Sequence, residues 1–265
     1  IASTHGDLGF ADAAPDLPAE WIRAIVDLAH SRGLKVACHS YGDEGDWAAI
    51  KGGVDSIEHL VNVPHELPDD MVQAIKDRGI VVCPTLAGSA YSVHRFLERP
   101  GLLTSDPDLI ANVPAAIRKR LKIVLRVMKI PGFTRVTLKQ RNARRKWDLW
   151  YKWSVRNTAK LYQSGVRLTF GTDVPFTFGN FWHSIMNEVR ALSEAGISNL
   201  DILRMATSGA AEVIGIAETT GTIEPGKRAD LVLLAGDPLD DIEAIGQVTT
   251  VIKEGRVVYQ APPTR

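Results

Sequence analysis

One unit, repeated four times, constrains this chain more than any other feature: an amphipathic helix, a glycine and a short apolar run. "LPAEWIRAIVDLAHSRG" leads into "LKVACHS", "EGDWAAIKGG" into "VDSIEHL", "DDMVQAIKDRG" into "IVVCPTL", and "SVRNTAKLYQSG" into "VRLTFGTD". Trp21, Ile22, Ile25, Val26 and Leu28 recur at helical spacing, and Gly33 suits a helix stop. Helix, glycine and strand in alternation predict βα units around a parallel sheet. The near-continuous apolar strands agree, because parallel strands are covered on both faces.

Each apolar run closes on a residue that does not belong in a core. The four ends are His39, Glu58-His59, Pro84-Thr85 and Asp173. Parallel α/β barrels carry their active sites at the C-terminal ends of the strands. A hydrogen-bonded core histidine is the structural alternative at each position, but three His or Asp ends in four strain it. His39 and His59 lie 20 residues apart, one βα unit, which puts them on neighbouring strands. Two imidazoles and a carboxylate suit zinc or a similar divalent ion. Water held by such an ion ionises near neutral pH.

Bulk properties narrow the alternatives. The 265 residues carry no net formal charge, which removes any global electrostatic attraction to nucleic acid or membrane. No apolar stretch approaches the ~20 residues that span a bilayer. Cys38 and Cys83, the two cysteines, sit in strand-like runs and read as reduced, buried residues. The stretch from Arg118 to Lys160 is basic, with Arg144, Arg145 and Lys146 beside "WDLWYKW". It reads as a helical insertion over about 104–160 near the barrel mouth, a lid or a carboxylate-recognising element. A solvated helix face and a single-strand nucleic-acid surface are its alternatives.

The motifs "VACHSYG", "GVDSIEHL", "GTD" and "GTIEPGKRADLVLLAGDPLDDI" together resemble the amidohydrolase superfamily, in its imidazolonepropionase-like and Xaa-Pro-dipeptidase-like branch. The resemblance covers nearly the whole chain apart from about 100–160. It implies a (β/α)8 TIM-like barrel holding one or two metal ions, with His39 as the fifth-strand ligand, His59 as the sixth and Asp173 as the eighth. Asp173 would also be the catalytic general base and acid. Metal-held hydroxide would attack an amide or peptide bond, a dipeptide or N-acyl amino acid in prolidase-like fashion. Lactone or organophosphate ester hydrolysis and deamination use the same centre, and a catalytically incomplete scaffold or nucleic-acid-binding module is the non-enzymatic alternative.

The family's first-strand HxH has no counterpart among the seven histidines, and its carboxylated lysine would fall just before Ile1. The expected fold is therefore the second half of the barrel, residues 1–215. A β-rich segment, 216–265, would belong to a composite β-sandwich domain. The expected cofactor is Zn2+, and the expected partners are a small-molecule substrate, the N-terminal half of the barrel and further copies of the chain, with no membrane and no nucleic acid. A cytoplasmic location is expected, with periplasmic or secreted as alternatives. Tyr41 and His183 are candidate substrate contacts; a loop-rim tyrosine and a helix-cap histidine are the structural alternatives. Thr85 reads as strand-end packing, with pocket lining as its alternative, and Glu58 as a supporting or structural neighbour of His59. Asp43, Glu44 and Asp46 read as an acidic first helical turn.

Overall fold

The computed structural model describes residues 17–87, 134–174 and 181–262. Its first part alternates as the repeats predict: α1 (Ala19–His30), β1 (Ala37–His39), α2 (Asp43–Gly52), β2 (Ser56–Glu58), α3 (Asp69–Asp77) and β3 (Val81–Cys83). The strands are parallel in the order β1-β2-β3. A fourth segment joins at Leu168, which bridges in parallel to Val82, with Thr169 N–H donating to the Val82 carbonyl at 3.0 Å. Gly33 and Gly53 end the helix-to-strand turns at φ 70° and 82°, a left-handed conformation in which a Cβ would be strained.

Register sorts the sheet into two faces. Cys38, Ile57 and Val82 are in line, each fully buried, and they belong to the core packed beneath α1, α2 and α3. Ala37, Ser56 and Val81 share the opposite face with His39, Glu58 and Cys83. Burying an aliphatic side chain such as Ile57 stabilises by roughly 1.5–3 kcal/mol, so this alternation fixes the register firmly. The α1 stripe is narrower than its spacing predicts. Ile22 and Val26 are buried, whereas Trp21 and Leu28 are more than half exposed among the described residues.

α4 (Thr134–Gln163) is one continuous helix of 30 residues, running from the basic stretch through "SVRNTAKLYQ" without a break. Trp150 and Tyr151 pack inward, while Arg156 lies 5.2 Å over the Trp153 ring on the outside. Asn157 fastens this helix to the segment after β2: its amide accepts from Leu67 N–H at 3.0 Å and donates to the His65 carbonyl at 2.9 Å. α5 (Phe181–Glu194) and α6 (Asn199–Arg204) follow, α6 capped by the Ser198 hydroxyl on Asp201 N–H.

The C-terminal part is a separate antiparallel sheet, β4 (Leu231–Leu234), β5 (Val248–Lys253) and β6 (Arg256–Gln260), in that order. Val232, Val257 and Val258 on it are more than half exposed among the described residues. No helix among the described residues is long and apolar enough to cross a membrane. Cys38 and Cys83 are both free and buried.

Candidate active site

The strand ends meet at one mouth. His39 closes β1, and His59 follows β2 directly. Their rings stand edge to face with centroids 4.7 Å apart. Tyr41 lies flat on His59, 4.9 Å away at an interplanar angle of 6°, and edge-on to His39 at 5.0 Å. The three rings form one compact aromatic group, which holds two of the three candidate ligands and one of the two candidate substrate contacts.

The backbone beneath this group is unusual. His59, Thr85 and Asp173 have φ of 73°, 50° and 54°, and each follows a strand of the parallel sheet. Non-glycine residues avoid this region, and a β-branched threonine there is a genuine outlier. Such conformations cluster at functional sites and persist where surrounding bonds over-determine them. At His59 those bonds are visible: its N–H donates to the Cys83 carbonyl at 3.1 Å, and its own carbonyl accepts from Asn62 N–H at 2.8 Å. Its Nδ1 lies 2.6 Å from Thr85 Oγ1.

Electrostatics give the residues distinct states. Burial, and secondarily the neighbouring His39, push the His59 pKa down to about 3, so its imidazole is neutral at physiological pH. Burial raises Tyr41 above its ordinary value, and Asp173 adds to the rise. Asp173 is exposed at the rim, yet the protein around its carboxyl raises its pKa while His39 draws it back. His39 and Asp173 are therefore electrostatically coupled across the mouth.

Two neutral-capable imidazoles and a carboxylate have the donor chemistry of a zinc-type site. They are an incomplete set: among the described residues no three His, Cys, Asp or Glu side chains close into a metal cage. His183 lies in the first turn of α5, and its side chain is outside the described residues, as are His5 and His94. His30 pairs with Asp55 at 2.9 Å and His65 with Asp43 at 3.5 Å.

Two features of the site's surroundings depart from the sequence reading. Thr85 is more than packing, since its hydroxyl touches His59. Asp46 does lie in the first turn of α2, but it is fully buried, with burial raising its pKa to about 8, so it is no surface charge on a helix end. Glu188 on α5 carries no signal in the sequence. It is fully buried, accepts from Ala87 N–H at 2.6 Å just beyond Thr85, and burial raises it to about 8. Nothing in an amphipathic helix pattern distinguishes it from a solvent-facing glutamate.

Comparison with known proteins places this geometry. The profile described as the Amidohydrolase family matches residues 5–258. The 5-methylthioadenosine/S-adenosylhomocysteine deaminase of Symbiobacterium thermophilum is 32% identical over 123 residues, 38% of this chain and 28% of that protein. Ochratoxinase of Aspergillus niger is 24% identical over 261 residues, 97% of this chain and 44% of its own length. The crystal structure of a Xaa-Pro dipeptidase with methionine in its active site superposes with a TM-score of 0.68 at 26% identity, covering 98% of this chain and 54% of that one. The chain thus spans about half the length, or less, of these relatives. The likeness sets the parallel strands in a TIM-barrel-like fold.

Proposed function

The chain belongs to the amidohydrolase family, and on that premise we propose that it forms part of a metal-dependent hydrolase cleaving a C–N bond in a small amide, dipeptide or N-acyl amino acid. His39, His59 and Asp173 would hold the ion, zinc by their chemistry, together with ligands from chain preceding β1. A divalent ion bound there would acidify water and polarise the substrate carbonyl. Asp173 takes the proton from the attacking water and returns it to the leaving nitrogen. Its raised pKa and its coupling to His39 suit a group that must be both base and acid. Tyr41, held against both imidazoles, would contact the substrate's carboxylate or developing oxyanion.

The observation that carries this reading is the convergence of strain and chemistry. Three consecutive strand ends adopt left-handed backbone, and two of them, His59 and Asp173, bear proposed ligands. A scaffold gains nothing from such conformations. The relatives' greater length and the exposed valines on the β4-β5-β6 sheet support the further reading that residues 1–215 are the second half of a barrel. In that reading residues 216–265 complete a β-sandwich with strands from an N-terminal half.

The test is a substrate panel on the full-length protein: Xaa-Pro dipeptides, N-acyl amino acids, an aryl lactone, an organophosphate ester and aminopurine nucleosides. Metal content would be measured alongside. Asp173→Asn should lower kcat on the preferred amide by about 10²–10⁴-fold at matched metal content. Near-wild-type turnover by that variant would sink the proposal. Turnover of the aminopurine alone would replace it with the deaminase reading, which the 32% identity to a deaminase favours as second choice.

A further inference from the structure

The hydrogen bonds behind His59 determine which of its ring nitrogens carries the proton. Nδ1 of His59 is 2.6 Å from Thr85 Oγ1, and that oxygen is 2.8 Å from the carbonyl of Pro84. A threonine hydroxyl has one proton to give. A carbonyl has none, so the proton between Thr85 and Pro84 belongs to Thr85. If it turned to His59 instead, two oxygens would face each other at 2.8 Å with nothing between them, a repulsive contact. Thr85 therefore accepts from His59, and Nδ1 bears the hydrogen. The Asn62 amide donates to the same Pro84 carbonyl at 3.1 Å and reaches Thr85 Oγ1 at 3.4 Å, which fixes both acceptors in place.

We propose that Thr85, supported by Asn62, is a positioning residue that locks His59 as its Nδ1–H tautomer and leaves the lone pair on Nε2, across the ring from Thr85. This deepens the reading of His59 as a metal ligand and rests on it. Ligating histidines donate their other N–H to an oxygen that orients the ring, and loss of that oxygen weakens metal binding. Burial makes the arrangement hard to replace: His59, Asn62 and Thr85 are each at most 5% exposed. The strained backbone is the second support. A β-branched residue held at φ 50° places its hydroxyl under the imidazole, where an unstrained threonine would not be required.

The experiment reads the tautomer directly. Long-range proton–nitrogen correlation spectra of the metal-free, full-length protein distinguish a protonated ring nitrogen from one carrying a lone pair. The expected wild-type spectrum has His59 protonated at Nδ1 and bare at Nε2. Thr85→Val keeps the β-branch and removes the acceptor; it should lose the single-tautomer signature and weaken zinc binding by about 10–100-fold. Thr85→Ser should restore both. Protonation of wild-type His59 at Nε2 overturns the proposal without any variant, so a misfolded Thr85→Val protein would not shield it. Unchanged zinc affinity and spectrum in Thr85→Val also overturn it, while leaving the metal site intact. Conversely, a wild-type protein that binds no zinc yet shows the Nδ1 proton removes the metal reading and keeps the tautomer assignment.

Discussion

Replacing Glu188 with glutamine should flatten the dependence of stability on pH. The carboxyl is fully buried; one oxygen accepts from Ala87 N–H, and the other has no hydrogen-bond partner among the described residues. Burial raises its pKa from 4.5 to about 8, opposed only in part by the Ala87 and Leu86 amides. Between those two values the folded state keeps a proton that the unfolded chain has released. Stability is therefore fully present below the unfolded pKa and is lost as pH rises through the folded one. One proton corresponds to about 1.4 kcal/mol per pH unit, so the loss from pH 5 to pH 7 is on the order of 2–3 kcal/mol. Glu188→Gln keeps the acceptor for Ala87 and cannot titrate. Urea unfolding of the full-length protein at half-unit steps from pH 5 to 7.5 gives the two slopes. The variant's curve should be flatter by about 1.4 kcal/mol per pH unit. Asp46, also raised to about 8, has the same sign but is present in both proteins and cancels in the difference. Parallel curves would refute the reasoning.

Two packing predictions follow from the parallel sheet. A Cβ on Gly171 would sit 2.4 Å from Cys83 Sγ, so Gly171→Ala should destabilise by about 1–3 kcal/mol, and Cys83→Ala in the same chain should recover most of it. A urea midpoint for Gly171→Ala equal to wild type would show the contact is soft. Asn157→Ala should cost about 1–3 kcal/mol, because it orphans the buried Leu67 N–H and two carbonyls, and amide exchange at Leu67 should accelerate. Unchanged exchange there would mean that the segment after His59 is held by something else.

The strands, their parallel order and their chemistry-bearing ends were legible because each rests on a local pattern. A short apolar run between a helix stop and a polar residue leaves few options, and His39, His59 and Asp173 emerge from that pattern alone. The left-handed backbone at His59, Thr85 and Asp173 was not legible. It is imposed by bonds from other strands, such as Cys83 to His59, and leaves no mark on residue choice. The contact of Thr85 with His59 leaves no local signal for the same reason: its partner is 26 residues away. Asp46 and Glu188 were hidden by helical periodicity, which assigns charged residues to solvent. A carboxyl satisfied by distant backbone amides, or neutralised by burial, breaks that rule from outside the helix. Glu58, read as a structural neighbour of His59, does accept from Ser56 within its own strand at 2.8 Å.

The left-handed strand ends also set a limit on how this protein can be improved. Glycine would relax the backbone at positions 59, 85 and 173 by roughly 1–2 kcal/mol each. In doing so it would delete an imidazole, the hydroxyl that steers it and the carboxylate opposite. Under the function proposed above, backbone ease and chemistry pull in opposite directions at these positions. Only at the exposed Asp173 does the backbone gain stand unopposed, because glycine at 59 or 85 would also empty buried space and break a hydrogen bond.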